Sequence, residues 1–368
     1  MPTVFFAFRD APERRAALRT PGSLDRYRLF GLDEIASRGA AVHHNLGRSA
    51  PPSWAEAAAR IVNACVPLGG DFAAVLPALR QMRAADVVFS TVDTVGIPLL
   101  LLRRARLFRA PLVYASIGLP ERLERLRPGR GFRRVLEAAH TIIAYSAVEA
   151  ERLRDVVDAE SPAVHFIPFG VDVDAFRPTS DGEPSVDVLS VGADPQRDYE
   201  LLTTVAERQP DLAFHIVTSS EHARSLGAAP SNVVVETDVP LETVRERFTQ
   251  ARVVALPVRA NSYSGATTTL LQAMAMGKPV VVSRTDAIAD GYELEDGMNC
   301  RLVEPGDPVA FERAILETLT GAEAAVSLGV RARETVERRF SWERYTDALW
   351  EILSAAATGE SLLRSPGA

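Results

Sequence analysis

The 368-residue sequence holds a single lysine, Lys278, two cysteines and three tryptophans. Cys65 and Cys300 stand too far apart for metal-ligand spacing and are too few for a disulfide framework. That usage fits a reducing compartment, and a cytoplasmic location is expected. Basic charge is also short: the net charge is -7 and the pI about 5.5. A general nucleic-acid binder, which carries a basic domain, is disfavoured. Long apolar runs are missing as well. The longest, Val95 to Leu102, is far below the roughly 20 residues that span a bilayer. Val4 to Phe8 is apolar but short, and Arg9 and Asp10 end it, so no export signal is read there. What remains is the composition of a globular protein, 47% hydrophobic and 24% charged. Its length suits two domains.

The chain alternates. Thr3–Phe8, Ala41–Asn45, Asp86–Ser90, Pro111–Ser116, Thr141–Tyr145 and Ala163–Ile167 read as strands. Asp25–Ser37, Ala55–Val66, Phe72–Arg83, Gly131–Ala139 and Ala147–Val157 read as helices, with a polar loop between Phe8 and Asp25. A Pro-, Ser- and Asp-rich break follows over 176–184. The alternation then restarts, with strands at Asp187–Val191, Ala213–Thr218, Val233–Glu236, Val253–Val258 and Pro279–Ser283. Helices are expected at Tyr199–Arg208, Leu241–Gln250 and Thr267–Met276. The expected fold class is α/β, with two Rossmann-like domains, each a parallel sheet covered by helices.

One stretch points to a ligand: "NSYSGATTTLLQAMAMGKPVVVS", residues 261–283. It leaves the carboxyl end of a strand, where open parallel sheets bind ligands. Gly265 lets backbone approach a ligand closely. The amides of Ala266 to Thr269 open a helix and suit an anion, with hydroxyls from Thr267 and Thr268 beside them. An ordinary turn capped by Ser and Thr fits the same residues.

This stretch resembles the signature segment of retaining, two-domain (GT-B fold) glycosyltransferases of the family 4 type. "FIPFGVDVDAFRP", residues 166–178, is similar to that family's linker, and "ARVVALPV", 251–258, to the strand before the signature. "FSWERYTDALWEIL", 340–353, resembles its closing helix, which crosses back onto the first domain. The resemblance implies an acceptor-side domain of residues 1–178 completed by 341–368, and a nucleotide-sugar domain of 179–340. It implies glycosyl transfer from a nucleoside-diphosphate sugar, with retention and without a metal or other cofactor. The expected partners are that nucleotide sugar and an acceptor small molecule, glycan or lipid.

Three departures stand out. The family's signature carries two glutamates eight positions apart; here those places hold Ser264 and Gln272. Gln272 retains hydrogen-bonding capacity for the ribose, and Ser264 would meet the sugar edge. In "SVGADPQRDYELL", residues 190–202, the family's Gly-Arg becomes Gly192-Ala193, leaving Arg197 as the cation for the diphosphate. Pairing with Asp194 or Asp198 is the structural alternative. In "APLVYASIGLPERL", residues 110–123, Ile117 and Gly118 stand where the family often has a histidine. The implied roles are therefore Arg197 and Ser264 at the reacting centre, and Gly192, Gly265, Ala266, Thr267, Thr268 and Gln272 on the donor. The nucleobase is expected near Val233–Asp238. Asp93, Ser116, Gly118 and His43 are acceptor-side candidates, with a helix N-cap as the other reading of Asp93.

Ten arginines fall between Arg103 and Arg134 against Glu121 and Glu124. A solvated helix face explains such a run, and so does peripheral contact with an anionic inner membrane face. Three rival functions remain open: a nucleotide-sugar epimerase on the same fold, a non-catalytic nucleotide or sugar binder, and a membrane-surface lipid glycosyltransferase.

Overall fold

The computed structural model describes residues 1–20, 22, 24–47, 51–65, 69–126, 132–157, 162–179, 184–263, 265–360 and 362. Contacts divide the chain into two units, Met1–Ile167 with Thr346–Ala368, and Pro168–Tyr345.

The first unit contains β1 (Thr3–Ala7), β2 (Ala41–His44), β3 (Val87–Ser90), β4 (Leu112–Ser116), β5 (Thr141–Ala144) and β6 (Ala163–Phe166). They form one parallel sheet in the order β2-β1-β3-β4-β5-β6. The second unit contains β7 (Val186–Val191), β8 (Phe214–Thr218), β9 (Val233–Thr237), β10 (Ala251–Leu256), β11 (Val280–Ser283) and β12 (Arg301–Val303). Their order, again parallel throughout, is β12-β11-β10-β7-β8-β9. Central strands such as β3, β4 and β11 are buried along their whole length. Helices cover both sheet faces, so these strands read as unbroken apolar runs. In each sheet the strand order reverses once, between β1 and β3 and between β7 and β10. Such switch points open a crevice at the carboxyl ends, where ligands bind.

Several elements differ from expectation. Residues 12–19, expected as loop, form a helix with Pro12 in its first turn, where a missing N–H costs nothing. Asp25–Ser37 is two pieces, Leu24–Leu29 and Leu32–Ser37, because Phe30 and Gly31 turn through positive φ of 53° and 87°. The apolar run near Val95 is a helix, Asp93–Arg104. Gly96 and Pro98 hide it in the sequence, yet Gly96 lies so close to the Tyr114 ring that a Cβ would overlap it. Residues 168–178 pack with the second unit, not the first. Val171 bridges to Ser341, and the Arg333 guanidinium donates to the carbonyls of Val173 and Phe176. The boundaries thus fall at 167 and 345 instead of 178 and 340.

Candidate functional site

In the second unit the switch point is built by the chain leaving β7 and β10. Beyond β7, Gly192 adopts φ 148°. Its carbonyl accepts from the Tyr199 hydroxyl at 2.5 Å and the Thr218 hydroxyl at 2.8 Å. Arg197 then forms an antiparallel bridge with Val258. Asp198 N donates to Pro257 O at 3.0 Å, and Arg259 N to Gln196 O at 2.8 Å, so the two exit loops are zipped together.

The Arg197 side chain is 2% exposed. Among the described residues, neither its Nε nor its Nη1 has a hydrogen-bond partner. Burial pushes its pKa down, against the opposing fields of Tyr199, Asp194 and Tyr263. The structural alternative of an ion pair is not what forms. Asp194 accepts from Gln196 N at 2.8 Å and from the Tyr263 hydroxyl at 3.2 Å. Asp198 caps the helix Tyr199–Arg208 through Leu201 N and faces Arg259 at 3.6 Å. A buried guanidinium lacking an anion is costly, and an incoming anion relieves that cost.

Beyond β10 the loop ends at Ala266, which takes φ 68° and opens the helix Thr267–Ala275 without a side-chain cap. The first amides of a helix have no partner inside it, and the dipole favours an anion there. Thr267 is 2% exposed and its hydroxyl is unpaired among the described residues. Thr268 is half-buried, and Gln272 lies buried further along the same helix. Gly265 narrows the expectation: its amide donates to Tyr263 O at 2.7 Å and is not free for a ligand. A Cβ at Gly265 would come 3.0 Å from Asp194 Oδ1, so the two exit loops also touch here. Ser264 lies outside the described residues. Thr285, just beyond β11, adds another buried hydroxyl that is unpaired among the described residues. Sequence reasoning missed it, since an isolated threonine after a strand carries no signal. The strand end expected to hold the nucleobase leads into Asp238, which has φ 53° and accepts from Ser220 Oγ at 2.5 Å.

The lone lysine does not serve this site. Lys278 Nζ donates to Thr249 O at 2.9 Å and Ala251 O at 3.0 Å, closing the end of the helix Leu241–Gln250.

In the first unit the acceptor-side candidates separate. Asp93 is the first residue of its helix and not the cap, which is Val92. It is buried, accepts from the Tyr114 hydroxyl and from Ile117 N at 3.3 Å, and is pushed up to about 6, mainly by burial. Ser116 Oγ and Gly118 N are not free. They donate to Glu149 Oε1 at 2.7 and 2.8 Å. Glu149 was missed because Ser146-x-x-Glu149 reads as a capping box. Half of that box forms, with Glu149 N donating to Ser146 Oγ at 3.3 Å, but the carboxylate turns to the 116–118 loop. Burial first, and the Asp93 charge second, push its pKa up to about 8. His43 is exposed on β2, and β1 separates that edge strand from β3. The structure therefore gathers Asp93, Ser116 and Gly118 around the loop after β4 and leaves His43 apart. Among the described residues no three His, Cys, Asp or Glu side chains cluster as metal ligands would.

Comparison with known proteins bears on both units. Residues 198–321, which include the β10 exit and the helix after it, match the family described as Glycosyl transferases group 1. The D-inositol 3-phosphate glycosyltransferase of Geodermatophilus obscurus is 28% identical over 62% of this chain and 55% of its own length. That of Segniliparus rotundus is 25% identical over 73% of this chain and 64% of its own. The chain thus spans 55% and 64% of the length of these two curated relatives. Among solved structures, sucrose-phosphate synthase from Thermosynechococcus elongatus superposes with a TM-score of 0.75 at 17% identity, covering 98% of this chain and all of that one. Anabaena HepE in complex with UDP-glucose gives 0.72 at 14% identity, covering 96% and 100%. The fold is GT-B. The family match and the inositol phosphate glycosyltransferases support a glycosyltransferase of that fold.

Proposed function

We propose that this chain is a retaining glycosyltransferase of the family 4 type, working in the cytoplasm on a nucleoside-diphosphate sugar. The observation that carries the reading is Arg197, a buried guanidinium with no ion pair among the described residues, at the switch point beside an uncapped helix start. A diphosphate supplies the missing charge. Its oxygens would accept from Arg197, from the amides after Ala266 and from the Thr267 hydroxyl. Gln272 would meet the ribose, and Ser264 the sugar. Charge neutralisation falls to these groups, and no metal is assigned a part.

In the reaction the acceptor oxygen bonds to the anomeric carbon as the bond from that carbon to the diphosphate oxygen breaks. The departing diphosphate takes the acceptor proton, so the step balances without a protein base. Arg197 and the helix start act because negative charge grows on the leaving oxygen, and their donors are already oriented. HepE was solved with UDP-glucose and with UDP and glucose, which makes UDP-glucose the first donor to try. The acceptor belongs with the first unit, where the loop after β4 is held by Asp93 and Glu149.

The test is product analysis. The chain, a panel of UDP-, GDP- and ADP-sugars and candidate polyol acceptors are incubated, and released nucleoside diphosphate is measured with and without acceptor. Acceptor-dependent release, with a product of unchanged anomeric configuration by NMR, supports the reading. Tight nucleotide binding without release from any donor would favour a non-catalytic binder instead.

A further inference from the structure

The arginine-rich segment of the first unit does not belong to this site. Arg106 and Arg109 precede β4, and Arg134 precedes β5, so they stand at the amino end of a sheet whose carboxyl end carries Asp93 and Ser116. There, Arg103, Arg104, Arg106, Arg109 and Arg134 line one cavity of about 590 Å³ floored by buried Phe108. Arg103 ties the walls together, donating to Ala110 O at 3.0 Å and to Ala138 O. Arg104 donates to Arg134 O at 3.0 Å. The one carboxylate in the lining, Glu137, is engaged by Arg133 at 3.5 Å. Among the described residues, no ion pair neutralises Arg104, Arg106, Arg109 or Arg134.

A second, independent observation concerns Arg106. The helix Asp93–Arg104 ends in a Schellman turn. Leu107 N donates to Leu102 O at 2.9 Å and Arg106 N to Arg103 O at 2.8 Å. Arg106 therefore occupies the left-handed position, with φ 58°, that glycine normally fills. A long cationic side chain is held where local backbone energetics favour none. It points to a role for the side chain beyond the fold.

We propose that this cavity of the first unit binds a phosphate-bearing anion other than the nucleotide assigned to the second unit. Five arginines line this concavity. Arg103 and Arg104 brace its walls through backbone carbonyls, and the charges gathered there suit the many oxygens of a phosphate group, which guanidiniums grip in pairs. The anion has two sources of the same chemistry, a soluble phosphorylated metabolite or an anionic phospholipid headgroup.

The test uses Arg106→Gly and Arg106→Gly/Arg109→Ala in the full chain carrying Arg197→Met, which weakens the diphosphate site equally in every protein compared. Inorganic pyrophosphate is titrated calorimetrically, and flotation is run with phosphatidylglycerol and with phosphatidylcholine vesicles. The chain with all its cavity arginines is expected to bind pyrophosphate or float with phosphatidylglycerol alone. Arg106→Gly should weaken that binding about tenfold or more while leaving the melting temperature equal or higher. Binding to pyrophosphate identifies a soluble ligand, and flotation without it a headgroup. Binding to neither probe by the chain with all its cavity arginines, or binding by Arg106→Gly and by the double variant equal to that chain's, overturns the proposal.

Discussion

Arg197 and Gly192 are fitted to each other: the guanidinium occupies the space a side chain at 192 would need. Gly192 also has φ 148°, a conformation other residues rarely adopt. Gly192→Ala is therefore expected to displace Arg197 and to weaken nucleotide binding, as is expected of an Arg197 substitution. Calorimetric titration with UDP checks this. Wild-type affinity in Gly192→Ala would separate Arg197 from the ligand.

A buried guanidinium whose Nε and Nη1 find no partner among the described residues should burden the empty protein. Arg197→Met keeps the length and removes the charge, so the ligand-free protein is expected to gain about 1–3 kcal/mol of stability. Urea denaturation measures it. A loss of similar size would mean that Arg197 is a structural residue.

Thr267 offers a milder version of the same test. Its hydroxyl is buried and unpaired among the described residues, so Thr267→Val should leave the free protein as stable or more so. Nucleotide affinity should fall by about 0.5–1.5 kcal/mol, the net worth of one hydrogen bond.

These residues show what the sequence made legible. The helix Thr267–Ala275 and its flanking strands follow from periodicity and the Gly277 stop, where φ is 65°. Arg197 was recognisable as a cation near the loop, but not its burial. Asp194 and Asp198 flank it in sequence and promise ion pairs, yet backbone amides, Tyr263 and Arg259 engage them. Glu149 was hidden by its place in a capping pattern, and the helix Asp93–Arg104 by Gly96 and Pro98. In each case long-range packing overrode a local signal.

The carboxylates of the first unit predict a pH dependence. Glu149 sits at about 8 against 4.5 for the free group, and Asp93 at about 6 against 3.8. The folded protein thus holds more protons than the unfolded chain between about 4 and about 8. Stability should fall as pH rises through that window and level off above it. Glu149→Gln keeps an acceptor for Ser116 and Gly118 and should flatten the slope. Urea midpoints from pH 5 to 8.5 read it, and equal slopes in both proteins would refute the assignment.

Lys278 is a contrasting control. Lys278→Met strands two carbonyls, Thr249 O and Ala251 O, and should destabilise by about 1–3 kcal/mol. Nucleotide affinity of the folded variant should not change.

The most direct measurement is calorimetric titration of UDP, GDP, ADP and dTDP into the wild-type chain and Arg197→Met. The expected result is saturable binding of at least one nucleoside diphosphate by the wild type, weakened at least tenfold in the variant. Undiminished binding in Arg197→Met, or no binding of any nucleotide to the folded wild type, would contradict a diphosphate site at Arg197.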